Sequence, residues 1–156
     1  MKNQITPCLW FDGQAEEAAR LYVSVFKNSM IRGISYYNKE GFEIHRHKEG
    51  TVLTVDFGIN GQRFTALNGG PQFKFSEAVS FQVFCETQEE IDNYWEKLTK
   101  GGKEDQCGWL KDKFGVSWQI VPEILPELMK DPKRAERVTA AFMQMKKFDI
   151  KTLLQV

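Results

Sequence analysis

The alternation of apolar and polar residues predicts a first half made of one helix and four strands. Predicted strands lie at 5–11, 30–37, 51–59 and 62–68, with a helix at 15–26. In that helix the apolar residues recur at helical spacing, and Glu16 and Glu17 lie in its first turn, where the helix dipole favours acidic side chains. Asn60-Gly61 predicts a tight hairpin between the last two strands. The polar segment 38–50 (NKEGFEIHRHKEG) is expected to form a solvated loop or an extended hairpin tip.

The second half repeats this order with a strand at 78–85, a helix at 87–98 and a hairpin at 107–122. The hairpin, CGWLKDKFGVSWQIVP, has a polar turn at Lys111-Asp112-Lys113. Its last strand places Ser117, Gln119 and Val121 on one face and Val116, Trp118 and Ile120 on the other.

After Pro122 the pattern becomes helical. Asp131 is the expected N-cap of a helix with Pro132 at its first position. Its apolar stripe consists of Val138, Ala141, Phe142 and Met145. We expect this tail either to cover an open side of the core or to form a subunit contact.

The two halves align as an internal repeat. Setting Phe84 over Phe11 gives an offset of 84 − 11 = 73, which places Glu16-Glu17 on Glu89-Glu90. Near the end of each half, Gly115 over Gly61 gives 115 − 61 = 54. The falling offset predicts that the second copy has shorter middle strands, and the agreement in order indicates a duplication rather than a chance match.

Composition excludes several functions. With 21 basic and 21 acidic residues, no long-range field attracts nucleic acid or an anionic membrane. No stretch approaches the roughly 18 apolar residues of a membrane span, and MKNQITPC lacks the apolar segment of a signal peptide. Cys8, Cys85 and Cys107 are odd in number and widely spaced, which favours reduced thiols in the cytoplasm. At 156 residues we expect one compact domain, or two small fused halves that share one core.

Four strings carry a resemblance to a known family. They are PCLWFDGQAEEAARLY, VSFQVFCETQEEIDNYWEKL, GGKEDQCGWLKDKFGVSWQIVP and AFMQMKKFDIKTLLQV. Together they resemble the PhnB-like family, whose members often carry the name demethylubiquinone methyltransferase, within the glyoxalase/bleomycin-resistance/dioxygenase (vicinal oxygen chelate) superfamily. The resemblance implies an α+β fold of two fused βαβββ modules, 5–68 and 78–122, with C-terminal helices in 123–156. It also implies a single domain over 1–156, a cavity between the modules and a homodimer, for which the Val138, Phe142 and Met145 stripe is the expected contact.

The metal ligands of superfamily members fall on unsuitable residues here. The resemblance places those positions at Pro7, Thr65, Ser80 and Gln119, and none is a histidine or a carboxylate. We therefore predict no metal and no cofactor. A nucleoside-bound methyl donor usually needs a glycine-rich turn between strand and helix, and the first such turn here is Asp-Gly-Gln-Ala.

Other reactive side chains have simpler interpretations. His45 and His47 form a His-x-His pair that suits a metal site, but a solvated loop is the preferred interpretation. Cys8 is predicted to point towards the helix layer as a small apolar filler. Asp56 suits a general base if it is buried, whereas a solvent-facing edge position is the commoner arrangement for such a residue.

Strand alternation gives a set of candidate cavity residues, which share apolar walls with a few fixed polar groups. They are Leu9, Phe11, Arg63, Thr65, Leu67, Gln82, Phe84, Ser117 and Gln119. Arg63 is the one charge, suited to an anionic or carbonyl-bearing ligand. The alternative is a core filled by side chains, with Arg63 at a hairpin rim. The leading hypothesis is metal-free binding of a small molecule. The others are a divalent-metal-dependent lyase, isomerase or dioxygenase, and a methyltransferase.

Overall fold

The computed structural model describes residues 3–156 and consists of two compact units, the first ending at Lys74 and the second beginning at Phe75. Each unit contains one four-stranded mixed sheet. In the described part of the chain, no helix has both the length and the apolar character needed to cross a bilayer.

The first unit is a βαβββ module with one additional short helix. Its elements are β1 (Cys8–Phe11), α1 (Ala15–Val25), β2 (Met30–Tyr36), α2 (Phe42–His45), β3 (Val52–Ile59) and β4 (Gln62–Asn68). The strand order across the sheet is β1-β4-β3-β2, and β1 runs parallel to β4 while the other pairs are antiparallel. Asn60 and Gly61 both have positive φ, as the predicted hairpin requires.

Helix α1 packs on one face of this sheet, which we call its helix face. The ring of Tyr22 lies 6.0 Å from that of Phe57, and Val55 and Ala66 beside it are wholly buried. Burying a side chain of the size of Phe57 stabilises the fold by about 1.5–3 kcal/mol. The Asn68 side-chain oxygen accepts a 2.9 Å hydrogen bond from the backbone N–H of Ala15 and so fixes the start of the helix to the sheet.

The second unit repeats this plan and adds the C-terminal helices. Its elements are β5 (Ser80–Cys85), α3 (Gln88–Thr99), β6 (Lys103–Glu104), β7 (Trp109–Lys111), β8 (Ser117–Pro122), α4 (Leu125–Leu128), α5 (Pro132–Phe142) and α6 (Ile150–Gln155). The strand order β5-β8-β7-β6 is the order of the first sheet, again with the outer pair β5 and β8 parallel. The predicted α+β fold of two βαβββ modules with C-terminal helices is confirmed.

The two middle strands differ most between the copies. β2 and β3 contain 7 and 8 residues, whereas β6 and β7 contain 2 and 3. The predicted loss of length in the second copy is confirmed.

The register of the sheets corrects one offset of the repeat. Cys8 pairs with Thr65, and Gln82 pairs with Gln119. The fourth strands are therefore offset by 119 − 65 = 54, as predicted, but the first strands are offset by 82 − 8 = 74 rather than 73. The helices keep 88 − 15 = 73, because the turn before α1 is one residue longer than the turn before α3.

The C-terminal tail covers the core of its own unit. The side chains of Val138, Phe148 and Leu153 are buried there. The N–H groups of Cys107 and Gly108 donate to the carbonyl oxygens of Met145 and Lys146 at 2.8 and 2.7 Å. The expected subunit contact is therefore wrong for Val138, because that side chain packs within its own chain. For Phe142 and Met145, which are half-buried, it stays a prediction.

The side chain of Gln88 ties the tail to the start of α3. Gln88 Nε2 donates to the carbonyl oxygen of Phe148 at 3.0 Å, and the N–H of Ile150 donates to Gln88 Oε1 at 2.9 Å. Both polar ends of this amide are satisfied, so the segment 148–150 is fixed against the start of the helix.

Candidate functional site

The second sheet has a helix face and an opposite face, which we call its far face. Trp95 of α3 donates from Nε1 to Glu104 Oε1 at 2.9 Å, and Glu104 shares its face with Leu110 and Trp118. The register places the remaining side chains on the far face. They are Ser80, Gln82 and Phe84 from β5, Ser117, Gln119 and Val121 from β8, and Trp109 and Lys111 from β7.

Two glutamines and a serine form a hydrogen-bonded row across the far face. Gln82 Nε2 donates to Gln119 Oε1 at 3.3 Å, and Gln119 Nε2 donates to Ser80 Oγ at 2.8 Å. Both partners of Gln119 lie on the neighbouring strand β5, and they bond the oxygen and the nitrogen of its side-chain amide. Beneath this row Ser117 is 1% exposed, and its Oγ has no hydrogen-bond partner within residues 3–156. The row therefore presents neutral donors and acceptors in fixed positions.

Apolar side chains continue the row towards the ends of β5 and β8. Phe84 is 53% exposed, whereas its register partner Val121 is buried. A phenylalanine with that much free surface in a strand costs hydrophobic free energy unless something covers it. The far face thus combines a fixed polar group with an apolar contact surface.

The charge on the far face is already balanced. Lys111 Nζ lies 2.6 Å from Glu77 Oε1. The hydrogen bond from Lys111 lowers the pKa of Glu77, and the positive charges of Lys111 and Lys103 act in the same direction. The carboxylate of Glu77 therefore balances the charge of Lys111 beside the row of amides.

A divalent metal does not fit these residues. Gln119 Oε1 already accepts from Gln82, and neither amide carries the negative charge that offsets a cation. Across residues 3–156, no three His, Cys, Asp or Glu side chains lie close enough to hold a metal. We therefore derive no chemical step through a metal.

The first sheet also has a far face, opposite the face on which α1 packs, and this face carries an ion pair. Arg63 Nη2 donates to Asp56 Oδ2, and both side chains are half-buried. The expectation of an edge position for Asp56 is wrong, because β3 lies between β4 and β2. The predicted lone charge of Arg63 is in fact balanced by this carboxylate. Thr65 and Leu67 alternate with buried residues and share the face.

Leu9 and Phe11 do not share that face. The register places Leu9 beside Ala66 and Phe11 beside Asn68 on the helix face, where they are 7% and 2% exposed. The prediction that they lie with Arg63, Thr65 and Leu67 is wrong. The prediction that Cys8 points at the helix layer is wrong for the same reason, since Cys8 is exposed beside Thr65.

Cys8 and Trp10 are the residues that the sequence interpretation missed on this face. The longer turn before α1 was the available signal. If the first strands alone are aligned with an offset of 74, Trp10 becomes equivalent to Phe84 and Cys8 to Gln82 in the repeat.

His45 and His47 pack on Tyr37 and do not form a metal site. Their rings lie 4.5 and 4.4 Å from the Tyr37 ring. The backbone N–H of His47 donates to His45 Nδ1 at 3.0 Å, which leaves the proton on His45 Nε2, facing the carbonyl oxygen of Glu40 at 3.1 Å. Both nitrogens of His45 are therefore used. The segment is partly ordered by α2 rather than being a plain loop.

Comparison with known proteins identifies the family. The model of the 3-demethylubiquinone-9 3-methyltransferase family matches residues 3–121. The PhnB protein from Bacillus cereus, which carries the same methyltransferase name, is 40% identical over 77% of this chain and 99% of its own, with a TM-score of 0.68. The chain belongs to this PhnB-like family. A search of curated proteins found no match.

More distant structures share the fold alone. A Pseudomonas aeruginosa protein, PA1353, is 18% identical over 77% of this chain and 97% of its own, with a TM-score of 0.61. The fosfomycin resistance protein FosX from Listeria monocytogenes is 18% identical over 84% of this chain and 99% of its own, with a TM-score of 0.53. These structures share the predicted fold of this chain.

Proposed function

We propose that this PhnB-like protein binds a small, neutral, partly apolar molecule on the far face of its second sheet, without a metal. The observation that carries the proposal is the position of Gln119, which is held between Ser80 and Gln82 while Phe84 beside them is 53% exposed. The polar part of the ligand meets the amides, and its apolar part covers Phe84.

Neutrality of the ligand follows from the charges on the face. The amide row is uncharged, and the nearby Lys111 is paired with Glu77. A charged ligand would lose its hydration without gaining a counter-ion at the row, which is expensive. An amide, hydroxyl or carbonyl group instead exchanges hydrogen bonds with water for equivalent ones with protein.

The amide row of Ser80, Gln82 and Gln119 is also preorganised for binding. Two hydrogen bonds fix the Gln119 side chain, so little rotamer entropy remains to be lost when a ligand binds. Gln82 Oε1 accepts no hydrogen bond within the described residues and lies on an exposed side chain. It is the acceptor that we assign to an N–H or O–H of the ligand.

The test is a screen of neutral fragments by chemical-shift perturbation of backbone and side-chain amides. We expect hits to move the Gln82 and Gln119 side-chain signals, and Gln82→Ala and Phe84→Ala to weaken those hits. Gln144→Ala, at an exposed glutamine outside the sheet, is the matched control. Hits that leave both glutamine signals in place, or that weaken equally in the control, would overturn the proposal.

Methyl transfer is favoured only by the name of the family. The turn between β1 and α1 contains a single glycine, Gly13, and so lacks the cluster that usually lets a backbone approach a nucleotide. Calorimetry with the nucleoside-bound methyl donor tests this function directly. Heat of binding at micromolar donor would favour methyl transfer over the metal-free binding site.

A homodimer is part of the proposal. The edge strand β2 exposes Met30 and Tyr36 at 57% and 55%, and an edge with apolar side chains favours association with a second copy. Light scattering across micromolar concentrations should give twice the monomer mass, and a constant monomer mass would contradict it.

The proposal also includes a cytoplasmic location. Three free cysteines support a reducing, cytoplasmic location, which fractionation of cells can check.

A further inference from the structure

On the first sheet, a bulge turns an arginine over the far face. The pairing of β2 with β3 shifts between Ile31 and Gly33, so Arg32 is the residue without a register partner. Such bulges re-aim side chains. The Arg32 guanidinium comes to lie over Gly58, where a Cβ would stand 3.4 Å from its Nε and 3.6 Å from its Nη2. The absence of a side chain at Gly58 leaves the space that the guanidinium occupies.

A second guanidinium lies on the other side of the same glycine. Arg63 is the register partner of Gly58 on β4, and Asp56 precedes Gly58 by two residues on the same face. Arg63 pairs with Asp56, whereas no carboxylate of residues 3–156 pairs with Arg32. Two guanidinium groups and one carboxylate leave this cluster with one net positive charge.

The ion pair within the cluster is incomplete. Arg63 and Asp56 meet through Nη2 and Oδ2, and Arg63 Nε and Asp56 Oδ1 are buried with no partner in the described chain. A two-pronged arginine–carboxylate contact would have used both remaining atoms. A charged donor and a charged acceptor left unpaired are costly, so a group that both accepts from arginine and donates to aspartate gains from binding here.

We propose that Arg32, Arg63 and Asp56 form an oxyanion site for a phosphate-type group that bears a protonated oxygen. Its free oxygens accept hydrogen bonds from the two guanidinium groups, and its hydroxyl donates to Asp56 Oδ1. Both buried atoms are reached when the Arg63 side chain turns outward, which gives up its one contact with Asp56. The site lies within the first unit and is independent of the amide row on β5 and β8.

Because the proposed site needs a hydroxyl that donates to Asp56 Oδ1, it should distinguish phosphate from sulfate. Inorganic phosphate at pH 6 carries a donor oxygen, whereas sulfate of similar size carries none. Titrations at constant ionic strength are followed through the arginine Nε–H signals, with binding expected at millimolar phosphate. We expect sulfate to bind at least about tenfold more weakly, since one hydrogen bond to a charged group is lost. Equal affinities, or no movement of the Arg32 and Arg63 signals, would overturn the proposal.

Variants separate the site from general surface charge. Arg32→Gln should weaken phosphate binding about tenfold or more, because a charge-assisted contact is removed. Arg46→Gln is the control, since Arg46 is also exposed and is paired with Glu43 outside the sheets. Asp56→Asn should abolish the preference for phosphate over sulfate, because an amide can donate to either ion. A preference that survives in Asp56→Asn, or equal weakening by both arginine variants, would contradict the assignment.

Discussion

The indole Nε1 of Trp118 donates a 2.9 Å hydrogen bond to Oδ2 of Asp112. The other oxygen of this carboxylate accepts from the backbone N–H groups of Phe114 and Val116 at 2.9 and 3.1 Å. Asp112 is only 2% exposed. The turn before β8 is therefore organised around a buried carboxylate, which fixes where β8 begins and so which face receives Gln119.

Replacing Asp112 by alanine should destabilise the protein strongly. The change leaves the Trp118 indole and two backbone N–H groups without their acceptor in a buried turn. We expect a loss of about 2–5 kcal/mol in the free energy of unfolding, measured by urea denaturation. Asp105→Ala, at an exposed aspartate between β6 and β7, should cost less than about 1 kcal/mol. Equal losses in the two variants would show that the carboxylate of Asp112 does not organise the turn.

Two glycines with the same backbone conformation should respond differently to alanine. Gly108 has φ +80°, and a Cβ there would lie 2.4 Å from the Phe148 ring and 2.6 Å from the Ile120 carbonyl oxygen. Gly13 has φ +83° with no atom within 4 Å. Gly13→Ala should cost about 1–2 kcal/mol from strain alone. Gly108→Ala should cost more, by a further 1–3 kcal/mol of overpacking.

The comparison is made by thermal and urea unfolding of both variants. Because the backbone strain is matched, the difference between them isolates the contacts of residue 108 with Phe148 of the tail and with the Ile120 carbonyl oxygen of β8. Equal losses would mean that Phe148 and Ile120 both shift freely away from residue 108, contrary to the hydrogen bonds of Gly108 with Lys146 and Ile120.

Cysteine reactivity should follow burial. Burial, and to a smaller extent the charge of Glu90, raises the pKa of the Cys85 thiol to about 12. At pH 8 a thiol reagent should modify exposed Cys8 in the native protein and Cys85 only after unfolding. Mass spectrometry of peptides from a timed reaction gives both rates. Modification of Cys85 in the native protein as fast as that of Cys8 would contradict the buried position.

The raised pKa of Cys85 also predicts a dependence of stability on pH. Folding favours the neutral thiol, so this contribution is complete below the ordinary pKa of 9.0 and is lost as the pH rises towards about 12. Unfolding free energies measured between pH 8 and pH 11 should fall with a steeper slope in the wild type than in Cys85→Ser. Identical slopes would show that the thiol is solvated in the folded protein.

Metal affinity should appear when ligands are introduced at the amide row. Gln82 and Gln119 are already in side-chain contact across parallel strands. Combining Gln82→His with Gln119→Glu places an imidazole and a carboxylate side by side at these two positions. We expect calorimetry to give at least about tenfold tighter binding of a divalent cation than in the wild type. Gln119→Met, uncharged and of similar length, serves as the control.

An unchanged affinity in the double variant would show that the two side chains do not converge. Elemental analysis of the wild type, purified without chelator, completes the experiment. A stoichiometric metal in that sample would contradict the proposed metal-free site.

The order of the elements could be predicted because it depends on patterns that span many residues. The helix at Ala15–Val25 and the hairpin at Asn60-Gly61 each have several independent signals, and the duplication supports both halves. The family strings carry the same information, so the fold and the family followed from the sequence.

The faces of the first strand could not be predicted in the same way. Side chains alternate with a period of two, so the single extra residue in the turn before α1 moved Leu9 and Phe11 to the helix face and brought Cys8 and Trp10 out. The ion pair of Arg63 with Asp56 depends on the pairing of β3 with β4. Contacts between strands of this kind are set by register, which the alternation within one strand does not contain.

The tether at Gln88 has a consequence for the evolution of the tail. The side-chain amide donates to Phe148 and accepts from Ile150, and in doing so imitates one peptide group of a neighbouring strand. Upstream, Met145 and Lys146 are bonded to 107 and 108. Only Lys147 and Asp149 lie between these bonded residues. The number of residues in this part of the tail is therefore fixed by the hydrogen bonds on either side. Insertions and deletions should accumulate after Gln155 and be purged from 145–150.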